Sequence, residues 1–445
     1  MRRFVVDAGW IFALRVINLP LQFLLFTLAA RLHPLAVIGV FAVFFAAWSL
    51  SRQLGPCGLD HAANRFIPAF IADGRAGAAT RFEWLARAWV AAVTVAAAGA
   101  VVLLVLLARR LELLAIEPSA LMVGAAAAPG YALVSLFAAQ LRARGRPRAA
   151  QVPDALVLPV TAALALLGWH VLAGSSLLGL LASHAIAVWL TVLLYLLLAG
   201  RPGRAAGERL RPDDVRAIRR MAMTVTAAGA ANALAMQLPV LLISAILGAA
   251  ATGLYEGARR FAQLGTLATW AASAAVAPML ADAHARAQHA RLQLLLAASS
   301  WAAFLPALAI LLLLLVAGPQ LLSLFGPGYV AAYPVMLLLA TFTAVNASGG
   351  LSSTVLNMTG HADAVLRFSL LQLVCIAVAV PMLARLWGLE GAALAVLLSG
   401  VLRDGGLCLL LPRRLDLVPG VWSLRGPRLL WQAYLSRHRA GPAAV

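Results

Sequence analysis

The stretch LPVLLISAILGAAATGLYEGARRFAQLGTLATWAASAAVAPML (residues 238–280) decides the fold class, because its apolar flanks enclose three charged side chains. The charges are Glu256, Arg259 and Arg260. Both flanks are typical of membrane-spanning helices, which need about 20 predominantly apolar residues to cross a bilayer. A charged side chain inside a membrane is costly and usually faces a partner or a polar cavity. The stretch therefore predicts a membrane protein in which buried charge has a structural or functional reason.

The rest of the chain has the same apolar character. Hydrophobic residues make up 63% of the 445 residues, charged residues make up 11%, and the mean hydropathy is +0.91. A soluble domain carries about 25% charged residues. Apolar windows recur along the whole length and strand-type alternation is absent, which favours a bundle of spanning helices over a β-barrel.

Basic residues set the predicted orientation. The net charge is +19, and all 35 basic residues are Arg. The loops on one side contain most of them, including RARGRPR at 142–148, whereas the loops on the other side contain only Arg31, Arg109, Arg110 and Arg385. Because Arg concentrates in the cytoplasmic loops of membrane proteins, this asymmetry places both termini in the cytoplasm. It also accounts for the basic charge without nucleic acid.

Twelve spans are predicted, six in each half of the chain. They lie near 8–31, 35–56, 85–108, 120–140, 152–172, 177–199, 221–247, 254–280, 293–317, 330–358, 365–386 and 391–411. The predicted fold class is therefore an all-α integral membrane protein with about twelve transmembrane helices. We expect two six-helix lobes related by a pseudo-twofold axis along the membrane normal.

The two halves also share a weak repeat. NLPLQFLL at 18–25 resembles QLPVLLIS at 237–244, and each lies late in the first span of its half. Two-lobed repeats of this kind are typical of transporters, which handle their substrate between the lobes. The predicted domains are an N-terminal lobe (1–199), a cytoplasmic linker with an amphipathic helix (200–220), a C-terminal lobe (221–412) and a basic cytoplasmic or interfacial tail (413–445).

Four motifs carry a family resemblance when they are taken together. They are LGPCGLDHAANRFIP at 54–68, GLYEGARRFAQLGTLATWAASAAVAPMLADAHA at 253–285, LLSLFGPGYVAAYPVMLLL at 321–339 and GLEGAALAVLLS at 388–399. With these motifs in this order, the chain resembles the polysaccharide (O-antigen type) flippases of the multidrug/oligosaccharidyl-lipid/polysaccharide flippase superfamily. It departs from the family pattern at Pro56 and Cys57, where relatives often carry a small or acidic residue. Its twelve spans also disfavour a peptidoglycan precursor, since some flippases for that substrate have fourteen.

The resemblance implies a transporter rather than an enzyme. Its substrate would be a polyprenyl-pyrophosphate-linked oligosaccharide, moved from the inner to the outer leaflet of the bacterial cytoplasmic membrane by alternating access. The implied role is export of polysaccharide such as the O-antigen of lipopolysaccharide. The implied partners are this lipid-linked oligosaccharide, membrane lipids and polysaccharide polymerase machinery. No cofactor is expected, although H⁺ or Na⁺ coupling is compatible with the family.

The charges of the opening stretch are the first candidate site. Glu256 is spaced i, i+3 from Arg259 and i, i+4 from Arg260, so either pair can meet on a helix face. The two arginines are successive and about 100° apart around the helix, and we expect one carboxylate not to satisfy both. The spare guanidinium would lie about 10 Å inside the span and would bind pyrophosphate, whose oxygens accept the paired hydrogen bonds that Arg donates. The alternative is that both arginines snorkel outward or link the span to its neighbour.

A second group of candidates lies on the first span of each half. Arg15, Asn18 and Gln22 form one polar stripe, and Asn232 and Gln237 hold comparable places in the second half. The family resemblance implies that these helices line the substrate cavity. The alternative is that the polar side chains hold neighbouring helices together by hydrogen bonds.

Charges at the predicted cytoplasmic ends of spans are candidates for gating or ion coupling. They are Asp60, Arg65, Arg403 and Asp404, with Glu256 as a further candidate inside the membrane. Asp60 is the first choice if a proton or a sodium ion is coupled. Such charges are also found as solvated helix caps, which is the alternative for all four.

Other classes of protein are less compatible with the sequence. A cation-coupled multidrug or small-molecule antiporter of the same superfamily would need a buried acid, whereas the spans are poor in acids and contain arginine. A polysaccharide polymerase or ligase would need a large external loop, but the predicted external loops 109–119 and 318–329 are short. His284 and His289 lack partners at metal-ligand spacing, so no metal site is expected. His184 is expected to be a core histidine.

Overall fold

The part of the chain that this computed structural model describes is helical and includes no strand. It consists of residues 2–110, 117–199, 208–349 and 351–422. The chain divides into two compact units, an N-terminal unit (Met1–Gln237) and a C-terminal unit (Leu238–Val445). Helix α9 passes from one unit into the other, and most of the predicted tail lies outside the described residues.

The N-terminal unit contains eight helices and the start of a ninth. They are α1 (Arg2–Leu32), α2 (Leu35–Leu54), α3 (Leu59–Ala72), α4 (Ala76–Arg110), α5 (Pro118–Ala143), α6 (Pro147–Val152), α7 (Leu158–Ala173), α8 (Leu177–Ala199) and the first part of α9 (Pro212–Ala262). A π-helical turn, Pro153–Val157, joins α6 to α7, so that these two helices form one continuous span.

The C-terminal unit contains the rest of α9 and five further helices. They are α10 (Thr266–Ala285), α11 (His289–Ser323), α12 (Tyr333–Ser348), α13 (Ser352–Met358) and α14 (Ala362–Leu415). Short 3₁₀ turns, Gln263–Gly265 and Pro327–Ala332, separate α9 from α10 and precede α12.

The number of spans follows from where the long helices bend. Nine stretches of the described residues are long and apolar enough to cross a membrane, and α1 adds a shorter apolar helix, Ile17–Leu32. Two of the nine contain two spans each, because α9 is kinked at Gly248 (φ 83°) and α14 is kinked at Trp387 and Gly388 (φ −128° and 60°). The prediction of an all-α membrane protein with about twelve transmembrane helices, six in each half, is confirmed.

Two predicted boundaries are wrong for identifiable reasons. The eighth span begins directly after Gly248 rather than at residue 254, because a positive φ at that glycine makes the turn in a run of otherwise apolar residues. The segment after the second span is not a loop. It forms α3, which starts at the left-handed Gly58 (φ 72°).

The start of α9 packs within the N-terminal unit. The division between the two units therefore falls further along the sequence than the predicted linker at 200–220. A Cβ at Gly58 would lie 2.4 Å from the carbonyl oxygen of Ala222, so only glycine allows this approach. Arg75 also binds Glu208 and Asp214, at 3.0 and 2.8 Å. These hydrogen bonds, first that to Asp214 and then that to Glu208, raise the pKa of the Arg75 guanidinium above its usual value.

The core of the N-terminal unit is aromatic. Trp48 stacks on Tyr131 and on His184, with ring centroids 5.4 and 5.6 Å apart. The indole N–H of Trp48 donates to the Gly124 carbonyl at 2.7 Å, which satisfies a group that is costly to bury unpaired. Nδ1 of His184 lies 3.0 Å from the carbonyl oxygen of Leu180, as expected for a core histidine.

Candidate functional site

One carboxylate holds both arginines of the eighth span. The Nε of Arg259 donates to Oε2 of Glu256 at 2.8 Å, and the Nε of Arg260 donates to Oε1 at 3.1 Å. Glu256 is only 2% exposed. The expectation that a single acid would not satisfy both is therefore wrong, because each of the two carboxylate oxygens accepts a hydrogen bond from one arginine. The three side chains together still carry one net positive charge.

This cluster, Glu256–Arg259–Arg260, lies deep along its helix. Arg259 follows the Gly248 kink by about 16 Å at 1.5 Å per residue. The expected depth of about 10 Å is too shallow, because the helix begins earlier than predicted. Both arginines occupy the last turn of α9, before the 3₁₀ turn that starts at Gln263.

Aromatic side chains of the C-terminal unit pack beside the cluster. Phe261 lies against Phe325 with ring centroids 4.9 Å apart. A Cβ at Gly257 would lie 2.6 Å from the ring of Tyr329, so the glycine allows this ring to approach α9. The Arg259 and Arg260 side chains nevertheless remain 14% and 16% exposed. The cluster is thus a largely enclosed site with partial access to its two guanidinium groups.

The polar stripe of the first span has a structural role in at least one member. The Nδ2 of Asn18 donates to the carbonyl of Ala155 in the π-helical turn, at 2.7 Å. Pro159 stands four residues after Ala155 and has no N–H to donate to that carbonyl. Asn18 therefore gives this carbonyl a donor that Pro159 cannot supply. Gln22 is half-buried, and the side chain of Arg15 lies outside the described residues.

This arrangement predicts a coupling between Asn18 and Pro159. Asn18→Ala should lower the free energy of unfolding by about 1–3 kcal/mol, because it leaves a carbonyl unsatisfied. In a Pro159→Ala background the helix can supply its own N–H, so the same substitution should cost much less. Thermal unfolding of the four proteins in detergent measures the coupling. Equal costs in the two backgrounds would contradict this role for Asn18.

The two candidates on α9 differ from each other. Asn232 is exposed, whereas Gln237 is 6% exposed and its Oε1 has no hydrogen-bond partner among the described residues. Side-chain oxygens buried without a partner are rare in proteins and are costly. The expected cavity-lining role of these two residues stays a prediction.

The gating candidates at the span ends form two pairs in sequence, and only one of these pairs is in contact. Asp60 is partly buried in the first turn of α3, and the exposed Arg65 does not pair with it among the described residues. Arg403 lies 3.5 Å from Asp404, and Asp404 accepts a hydrogen bond of 2.5 Å from Asn346. Asp404 therefore links α14 to α12 inside the C-terminal unit, which gives it a structural contact beyond that of a solvated cap.

The sequence analysis missed two ion-pair clusters in the N-terminal unit. Arg52 donates two hydrogen bonds to Asp154, at 2.8 and 2.5 Å. Glu83 binds Arg144 at 2.6 Å and lies 3.7 Å from Arg87. Arg52 and Arg87 lie within α2 and α4, inside the predicted second and third spans. No local spacing signals Arg52–Asp154 or Glu83–Arg144, because the members of each pair are far apart in sequence. Glu83 and Arg87 do have the local i, i+4 spacing on α4.

The family assignment rests on a direct match. The sequence profile of the family described as "Polysaccharide biosynthesis protein" matches residues 4–284. The chain belongs to this family. The resemblance seen in the four motifs is thereby confirmed. No curated protein sequence matches the chain.

Solved structures confirm the fold of this family member. An inward-facing multidrug resistance MATE family transporter of the MOP superfamily has a TM-score of 0.73 at 14% identity, covering 96% of each chain. The lipid II flippase MurJ in an inward closed conformation has a TM-score of 0.70 at 12% identity, covering 97% of this chain and 93% of that chain. A MOP superfamily transporter from Pyrococcus furiosus has a TM-score of 0.62 at 14% identity, covering 92% and 95%. Identities this low show a shared fold only.

Proposed function

We propose that the protein is a flippase for a polyprenyl-pyrophosphate-linked oligosaccharide. It moves this lipid from the inner to the outer leaflet of the bacterial cytoplasmic membrane by alternating access, with both termini in the cytoplasm. Its role is transport in the export of a polysaccharide of the O-antigen type, and it works beside the polymerase machinery that uses the exported lipid. Membership of the polysaccharide biosynthesis family and the transporter fold support this proposal.

The Glu256–Arg259–Arg260 cluster is the observation that carries the proposal. It brings a net positive charge about 16 Å along a spanning helix, where an uncompensated charge costs several kcal/mol. A pyrophosphate group compensates this charge and accepts paired hydrogen bonds from a planar guanidinium. The cluster therefore suits the anionic head of the substrate, and Glu256 keeps both guanidinium groups in place while the site is empty.

The pairing of acids favours an anion over a cation as substrate. Asp154 and Glu256 lie within predicted spans, Glu83 lies just before one, and each binds at least one Arg. A carboxylate that is already paired with a guanidinium offers little to a cationic drug. These pairs disfavour the antiporter alternative, and the likeness to transporter folds disfavours a polymerase or ligase. Asp60 is our proposed residue for coupling to H⁺ or Na⁺, since it is an acid without an Arg partner among the described residues.

Reconstitution tests the proposed activity. Purified protein in liposomes should make a labelled polyprenyl-pyrophosphate oligosaccharide accessible to an external glycosidase, because the lipid reaches the outer leaflet. Protein-free liposomes should leave about half of the lipid protected, since no large polar head crosses a bilayer unaided. A preparation that leaves the lipid protected but exchanges protons for a cationic dye would contradict the flippase and favour the antiporter.

A further inference from the structure

A groove on the N-terminal unit combines an apolar wall with a basic end. Its volume is about 530 Å³, and it lies between α4 and α8 above the side chains of Leu133 and Phe137 from α5. The large side chains of Trp84, Trp189 and Leu196 line it and are 53%, 42% and 47% exposed. In a membrane protein such exposed apolar side chains face acyl chains.

The polar groups of the groove gather at one end. The residues that line this end are Thr80 near the start of α4, Arg144 after the end of α5 and Ala199 at the end of α8. From Ala199 to Trp189 the groove wall extends about 15 Å along α8 at 1.5 Å per residue. The groove thus runs from a membrane surface toward the bilayer centre, as an acyl chain does.

The charge at this end is positive. Arg87 and Arg144 share the single carboxylate of Glu83, and their side chains remain 22% and 35% exposed. The hydrogen bond to Glu83 raises the pKa of Arg144 above its usual value. Two more arginines stand beside them. Arg81 lies over the Trp84 ring at 5.5 Å, and Arg146 donates to the Leu198 carbonyl at the end of α8.

Contacts with neighbouring side chains orient the guanidinium groups at this basic end. The Arg87 guanidinium lies 4.6 Å from the centre of the Phe137 ring and donates to Gln140 at 2.7 Å. Gln140 is 2% exposed and also donates to the Glu83 carbonyl. The guanidinium groups are therefore oriented before any ligand arrives, which lowers the entropy cost of binding.

From these observations we infer that the groove is a binding site for an anionic membrane phospholipid. Its phosphodiester binds the arginines at the basic end, and one acyl chain lies along the groove between Trp84 and Trp189. Charge complementarity selects an anionic head over a zwitterionic one, because each basic residue near a membrane surface contributes about 1 kcal/mol of attraction to anionic lipid. The site lies wholly within the N-terminal unit and is independent of the transported substrate.

Native mass spectrometry of the delipidated full-length protein tests this site. The protein should bind phosphatidylglycerol more tightly than phosphatidylethanolamine. Arg81→Gln and Arg144→Gln should each weaken phosphatidylglycerol binding about fivefold and should weaken phosphatidylethanolamine binding less, because its ammonium group offsets the charge of the phosphodiester. Ala91→Phe should fill the groove and remove the tight binding. Ala96→Phe on the exposed part of the same helix is the matched control and should bind like wild type.

Three results would overturn the inference. The first is equal affinity for the two phospholipids, and the second is unchanged phosphatidylglycerol binding in Ala91→Phe at wild-type thermal stability. The third is displacement of phosphatidylglycerol by a tenfold lower concentration of polyprenyl phosphate, which would assign the groove to the lipid carrier instead. Loss of tight binding in Ala91→Phe with retention in Ala96→Phe would support it.

Discussion

Replacing Arg259 or Arg260 with alanine should reduce export of the surface glycan at least tenfold in a host that lacks its own flippase. A hydrogen bond to a charged group contributes about 1.5–3 kcal/mol, which corresponds to a tenfold or greater effect. Either substitution leaves the other arginine paired with Glu256. The variants should therefore fold normally. They should lose only the net positive charge of the cluster, which we propose binds the pyrophosphate.

Two controls make this result specific. Arg286→Ala removes a 66% exposed arginine that pairs with Asp282, and it should export normally. Arg259→Lys keeps the charge without the planar fork, so it should export at an intermediate level. Surface glycan measured at matched membrane protein levels gives the comparison. Wild-type export by both alanine variants would remove the cluster from the substrate path.

Breaking the ion pair between Arg52 and Asp154 should lower the free energy of unfolding. Asp154→Ala leaves the Arg52 guanidinium next to an aromatic core without its carboxylate. Exposed ion pairs contribute about 0–1 kcal/mol, and breaking fully buried ones costs about 3–5 kcal/mol. The Arg52 and Asp154 side chains are 37% and 18% exposed, so we expect an intermediate cost of about 2 kcal/mol.

A double variant distinguishes the cost of leaving a charge unpaired from the cost of disturbing the packing around the pair. Arg52→Met with Asp154→Leu removes both charges together and should recover most of the stability, because apolar replacements of buried ion pairs are often neutral. Thermal unfolding in detergent measures Asp154→Ala and the double variant against wild type. A double variant as unstable as Asp154→Ala would show that packing, not the unpaired charge, sets the cost.

Local signals allowed much of the fold and part of the site to be predicted from the sequence. Apolar length predicted the number of spans, and the i, i+3 and i, i+4 spacing predicted that Glu256 can meet either arginine. That one carboxylate holds both depends on side-chain geometry, which spacing does not encode. The start of the eighth span was missed because Gly248 turns the chain inside a continuous apolar run.

Contacts between distant parts of the chain were beyond prediction. Arg52 and Asp154 belong to different spans, and Glu83 and Arg144 are 61 residues apart in sequence. Asn18 was interpreted as a cavity residue with helix contact as the alternative, and its bond to the Ala155 carbonyl became visible only with the π-helical turn in place. One sequence carries no signal for such pairs, because only the folded arrangement brings them together.

Binding of a polyprenyl-pyrophosphate oligosaccharide to the purified protein tests the central claim most directly. The dissociation constants to compare are those of wild type, the Arg259→Gln/Arg260→Gln double variant and the Arg286→Gln control. The account predicts at least tenfold weaker binding by the double variant alone, from the loss of charged hydrogen bonds. Equal affinity of wild type and the double variant, with both proteins folded, would contradict the claim that this cluster binds the pyrophosphate.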